Sequence, residues 1–123
     1  MNILMQQINE SMFELTESKG GITARFIFLP EFTGFKGHFP DRPILPGVCK
    51  IQSVIAMLEK YHGKKICLTE ILLAKFVASV TVNQEIIIVS TKINEEVKES
   101  KIKASVTSGD TKVAEIQLKV SLV

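Results

Sequence analysis

The segment GHFPDRPILPGV, Gly37 to Val48, sets His38 among Pro40, Pro43 and Pro46 and between Gly37 and Gly47. Proline fixes its own φ and offers no N–H, so this stretch is neither a plain helix nor a plain strand. Imidazole is the side chain whose unperturbed charge changes near neutral pH. Held in so stiff a loop, it either hydrogen-bonds the loop itself or is positioned to move a proton, and residue types alone leave both open. The second histidine, His62, sits beside Gly63 where a helix should end, and it reads as structural.

The elements around the loop follow from hydrophobic period. Met12 to Ser18 alternates loosely, KGG makes a turn, and Ile22 to Leu29 alternates again before Pro30 stops it, which reads as a hairpin. After Pro46 the period changes. Val48, Ile51, Ile55 and Leu58 recur at 3-4-3 spacing with Val54 and Met57 beside them, which predicts a mostly buried helix over about Gly47 to Tyr61. The remainder is strand-like. Ile66 to Val82 is β-rich, Glu85 to Ile93 is apolar and then alternates, and ESKIKASVTS and KVAEIQLKVSLV alternate strictly across an SGDTK turn. Strict alternation implies one packed and one wet face, as in an antiparallel sheet. Two strands, a long buried helix and about four more strands predict an α+β layer of one helix on one curved sheet. Such a sheet has two edges to pair or cover.

The chain has 123 residues, enough for one domain, expected to occupy 1–123, and too few for two ordinary ones. With 46% hydrophobic residues it is not a disordered composition. A net charge of +2, no Trp and a single Tyr argue against nucleic acid. The first residues, MNILMQQINESM, lack the basic start and apolar run of a signal peptide, and no run approaches the roughly 20 apolar residues of a membrane span. A cytoplasmic protein is expected. Cys49 and Cys67 are too few for a disulfide framework, and no Cys/His spacing suggests zinc. Both read as plain buried or half-buried thiols, and neither a metal nor a cofactor is expected.

The loop resembles the active-site segment of the 3-hydroxyacyl-acyl-carrier-protein dehydratases, which have the hotdog fold. Their pattern is His-Phe-Pro-Gly, two or three residues, then Met- or Phe-Pro-Gly-Val opening the central helix. His38, Phe39, Pro40, Pro43, Pro46, Gly47 and Val48 stand in register with it, while Asp41 replaces the usual glycine. Downstream, AKFVASVTVNQEIII (Ala74 to Ile88) is similar to the family's Arg-Phe or Lys-Phe strand and the turn after it. The resemblance covers nearly the whole chain from about Met12. It implies a hotdog domain in which a long central helix is wrapped by a curved antiparallel sheet. It also implies that His38 is the base removing a C2 proton from a 3-hydroxyacyl thioester. The backbone N–H of Gly47, aided by the helix dipole, would hold the thioester carbonyl as charge builds there.

The resemblance further implies a carboxylic acid on the partner subunit's central helix, fourteen residues past the histidine. That position is Gln52. An amide keeps the shape and can donate a hydrogen bond, but it cannot release a proton near pH 7. Three readings follow. In one, the protein is still a dehydratase in which His38 takes the C2 proton and returns it to the hydroxyl that Gln52 orients. Asp41 and Glu59 are the nearby carboxylates that could substitute, although each also reads as a solvated residue. In the second, the pocket binds acyl thioesters for other chemistry, such as thioester hydrolysis. In the third, the chain is an inactive acyl-binding partner, or needs another subunit to supply the acid.

An acyl chain needs an apolar path along the helix. Phe39, Ile44, Leu45, Val48, Ile51 and Ile55 are the candidates, some of them simply core. The expected partner is an acyl thioester on acyl carrier protein or coenzyme A. The expected assembly is a homodimer joined sheet edge to sheet edge, alone or as a higher oligomer of dimers. A carrier protein is acidic, so Lys36, Arg42, Lys50 and Lys75 are candidate docking cations.

Overall fold

The computed structural model describes residues 3–36 and 42–123. A short helix α1 (Ile3–Ser11) leads into the hairpin β1 (Met12–Ser18) and β2 (Gly21–Ile27). A 3₁₀ turn at Thr33–Phe35 precedes the proline-rich loop, and the long helix α2 (Gly47–His62) follows it. Then come β3 (Ile66–Phe76), β4 (Glu85–Ser90), β5 (Glu99–Ser108) and β6 (Thr111–Leu122). All six strands form one antiparallel sheet in the order β1-β2-β4-β5-β6-β3.

Side-chain alternation explains the layer. Ala24 pairs with Ile88, Ile88 with Val106, and Val106 with Ala114, so one row of buried residues crosses four strands on a single face. Phe26–Ile86 and Ile102–Leu118 lie in neighbouring rows of the same face. The helix α2 lies on this face. Cys49 to Leu58 is buried throughout except for the half-buried Gln52. The polar members of that run are accommodated singly, as where the Ser53 hydroxyl donates to the Cys49 carbonyl at 2.7 Å.

The far end of α2 is closed by a left-handed residue. Gly63 has φ 65° and its N–H donates to the Glu59 carbonyl at 2.8 Å, a conformation for which glycine carries no Cβ penalty. The helix runs one residue beyond the sequence expectation. His62 is the reason, because its ring is built into the packing. Its Nε2 accepts the Ile93 N–H at 3.1 Å, and its Nδ1 lies 2.8 Å from the Glu95 carboxylate. With Nε2 accepting, Nδ1 is the nitrogen that donates to the carboxylate, so the ring has the structural role expected of it.

Three further points depart from the sequence reading. The helix α1 was not anticipated; it packs against α2 and buries Ile8. The β-rich run from Ile66 ends as a strand at Phe76 instead of continuing to Val82. Asn83 there takes φ 60° and donates its N–H to the Phe28 carbonyl at 2.8 Å. Cys67 is exposed, neither buried nor half-buried.

β3 differs from the other strands. It pairs with β6 on one side and forms an edge of the sheet on the other. Ile71 pairs with the buried Leu118, and Phe76 with the buried Ala114, so both continue the helix-facing rows. Yet they are 50% and 44% exposed, because β3 is an edge with no strand on its far side. Replacing Leu58, fully buried between α2 and the sheet, with alanine should lower unfolding free energy by about 2–5 kcal/mol in urea melts.

Candidate active site

The described site is built where α2 begins. Pro46 is its N-cap residue, with φ −61° and ψ 149°; no side chain caps the helix, and its first turn holds no acidic residue. Among the described residues, no negative group compensates the positive end of the helix dipole.

Both stems of the proline-rich loop are pinned. On the entering side, Phe28, Phe32 and Phe35 pack in series, with ring centroids 4.8 Å and 5.6 Å apart. Gly34 sits so close under the Phe32 ring that a Cβ would collide with it. On the leaving side, the Leu45 N–H donates to the Val80 carbonyl at 2.7 Å and the Thr81 hydroxyl to the Pro43 carbonyl at 2.9 Å. These bonds tie the loop's exit to the segment after β3. His38, Phe39 and Asp41 lie outside the described residues.

An open groove of ≈ 290 Å³ runs past the start of α2, lined by Ile44, Leu45, Pro46, Gly47, Lys50, Phe76, Val77, Ala78 and Ser79. Phe76 roofs the helix start. A Cβ on Gly47 would stand 2.5 Å from Phe76 Cε2 and 2.7 Å from Cζ, so glycine is what lets the ring lie there. Lys50, one turn along, places its Nζ 5.2 Å from the centroid of the same ring. Lys50 is only 3% exposed. Burial pushes its pKa down, and the neighbouring Cys49 pushes weakly the other way. The Cys49 thiol is pushed up to about 11 by burial, which leaves it unreactive at neutral pH.

The other site candidates separate into groups. Gly47, Ile44 and Leu45 meet at the groove. Ile51 and Ile55 are core residues, as is Leu45 for most of its surface. Val48, 56% exposed, and the half-buried Gln52 lie four residues apart on one outward helix face. Glu59 is already engaged, since its Oε2 accepts the Ile66 N–H at 3.0 Å where β3 begins. Of the four candidate docking cations, Lys36, Arg42 and Lys75 are exposed, whereas the buried Lys50 offers no charge to a docking partner's surface. Sequence reasoning assigned Phe76 no site role and read Lys50 as a surface charge. The signal for Lys50 was its i+3 spacing from Gly47, which turns it to the groove.

The match to known proteins decides the family. The family model described as ApeI-like, ApeI dehydratase, matches residues 14–117. The chain belongs to the ApeI-like dehydratase family. Its fold is the hotdog fold, α+β, shared with solved structures of low sequence identity. One is the dehydratase heterocomplex ApeI:P from Xenorhabdus doucetiae, with TM-score 0.71 and 17% identity over 89% of this chain and 96% of that one. Another is a hypothetical thioesterase protein with coenzyme A from Streptococcus pneumoniae, with TM-score 0.66 and 6% identity over 89% and 84%. The chain is also 43% identical over 49 residues to the 3-hydroxyacyl-[acyl-carrier-protein] dehydratase FabZ of Clostridium acetobutylicum. That match takes in 34% of this chain and spans about a third of the relative's length, 35%. No helix among the described residues is long and apolar enough to cross a membrane.

Because Glu59 serves the backbone of β3, Glu59→Gln should keep an acceptor for Ile66 and melt within about 1 kcal/mol of wild type. It should also leave thioester turnover unchanged, and a large loss of turnover would instead make Glu59 a proton donor.

Proposed function

We propose that the protein dehydrates 3-hydroxyacyl thioesters carried on acyl carrier protein or coenzyme A, in fatty acid or related lipid or polyketide biosynthesis in the cytoplasm. What carries this reading is the dehydratase family match across residues 14–117, with the uncapped start of α2 at Gly47 in the place the chemistry needs it. In this reading His38 is the base that takes the C2 proton. The Gly47 N–H and the α2 dipole hold the thioester carbonyl. Gln52, on the outward face of α2, orients the leaving hydroxyl of a substrate bound to the partner subunit. Phe39, Ile44 and Val48 contact the acyl thioester, with Leu45, Ile51 and Ile55 forming the apolar wall behind them.

The reading uses a dimer joined at β3. The edge carries Ile71, Leu72, Leu73, Phe76 and Val77, all exposed, and an unpaired apolar edge strand is a liability that pairing removes. A second reading is favoured by Gln52 itself: the partner is a different chain that brings a carboxylic acid. The heterocomplex among the solved structures of the same fold makes that arrangement a natural comparison. Single domain or dimer of dimers, the site needs both helices.

Enoyl absorbance during turnover of a 3-hydroxybutyryl thioester, followed by longer chains, tests the proposal. Wild type should turn over. His38→Ala should lose about 10²–10⁴-fold. Gln52→Glu should raise the rate if the amide limits proton delivery. Silence of wild type and of Gln52→Glu at every chain length would reject the homodimeric enzyme and leave a binding role or a missing partner chain. On the assembly, Ile71→Lys with Leu73→Lys should move the protein toward monomer in light scattering, and an unchanged mass would place the interface elsewhere.

A further inference from the structure

Lys50 turns its side chain into the groove at the start of α2. The residue is 97% buried, no ion pair or hydrogen bond joins its Nζ to a described residue, and, since no sealed side-chain nitrogen among the described residues lacks a partner, the ammonium itself faces the open groove. Its Nζ stands over the Phe76 ring, 5.2 Å from the centroid. It lies in the first turns of α2, where the helix dipole is already positive and no acidic residue offsets it. Two positive features thus converge on one groove, and the protein supplies no described negative charge between them.

We propose that the Lys50 ammonium is a catalytic residue that neutralises the oxyanion formed on the thioester carbonyl, together with the Gly47 N–H. The proposal rests on the dehydratase reading above and deepens it. Position decides the role. Lys50 is one turn from Gly47 and lines the same groove, whereas Gln52 is roughly 200° away from it around the helix. Lys50 therefore serves the carbonyl end of the substrate, and the hydroxyl end belongs to the face of Gln52.

The electron count closes without a further reactant. The base takes the C2 proton, the C–H pair becomes a C1–C2 π bond, and the carbonyl π pair moves onto the oxygen. That oxygen changes from neutral to anionic, so a fixed cation favours the enolate over the bound ground state. The oxygen pair then re-forms the carbonyl, the C1–C2 pair shifts to C2–C3, and the C3–O bond breaks. The proton on the base leaves with the hydroxyl as water. Lacking a carboxylic acid at residue 52, the reaction leans on the enolate, and Lys50 is the charge that carries it. Burial, which lowers the pKa of Lys50, makes an anion in the groove more welcome still.

The test separates enolisation from elimination. The full-length protein is incubated in D₂O with the butyryl thioester of N-acetylcysteamine, which has no 3-hydroxyl, and C2 deuteration is followed by NMR. Wild type should exchange, Lys50→Met should lose about 10²-fold, and Lys50→Arg should keep most of the rate. A Lys50→Met protein that folds and exchanges like wild type overturns the proposal, and if it also dehydrates the 3-hydroxybutyryl thioester, the dehydratase reading stands. Wild type that neither exchanges nor dehydrates removes both. Should Lys50→Met not fold, wild type alone decides through the acetoacetyl thioester. Its enolate absorbance should appear at least about one pH unit lower when bound than when free, a tenfold shift. No shift overturns the proposal. Loss of glutaryl-thioester binding in Lys50→Met with exchange intact also overturns it, by assigning the groove to a fixed substrate carboxylate.

Discussion

The burial of α2 along nearly its whole length is the constraint on which the remaining features depend. The burial covers its middle, Cys49 to Leu58, and its two ends are settled differently. At the C-terminal end the Gly63 N–H returns to the Glu59 carbonyl, while the Glu59 and His62 side chains accept the Ile66 and Ile93 N–H groups and fasten that end to the chain beyond it. At the N-terminal end no described side chain does this. Pro46 contributes no capping side chain, and Phe76 lies over Gly47 as a roof that accepts no hydrogen bond. The asymmetry separates a structural end from an end held open for something else.

Charge follows the same asymmetry. The described surface pairs its ions in ordinary ways, as where Arg25 bridges Glu14 and Glu85 and where Lys64 meets Glu95. Such exposed pairs contribute little to stability. Lys50 has no such companion among the described residues, and it is the cation a surface count would overlook. On the proposed chemistry, an amide at 52 and an ammonium at 50 are two parts of one change. Catalytic weight moves from proton donation at the hydroxyl, on one subunit's helix, to charge stabilisation at the carbonyl, on the other's.

Much of this was legible from the residues. The 3-4-3 spacing placed α2 to within a residue of its end, and strict alternation placed β5 at its observed bounds, because both patterns report which face is dry. The ApeI-like match agrees with the family read from the His38 loop and the Lys75–Phe76 strand. Other features left weaker traces. The helix α1 is short, carries no acidic first turn and buries a single residue, Ile8, so little in the sequence sets it apart from the strand that follows. β3 ends where the Val77 and Ala78 N–H groups both turn to the Val113 carbonyl, a contact between segments distant in sequence. Lys50 was misread because residue type predicts exposure for lysine. Only the placement of Phe76 across the sheet shows that this one is enclosed.

The order of strands has a bearing on how the chain comes to be folded. β3 sits third in sequence among the strands, yet its only neighbour in the sheet is β6, the last, with Ile66 opposite Leu122. A ribosome delivers β3 well before its partner. Until β6 arrives, the Ile71–Leu73 stretch has no strand to pair with and α2 lacks part of the surface it rests on. Closing that long loop is entropically slow and leaves a sticky segment waiting, so these are conditions in which chaperone contact matters most. The last twelve residues of strand are therefore the clasp of the sheet, and acquiring them is the step that commits the chain.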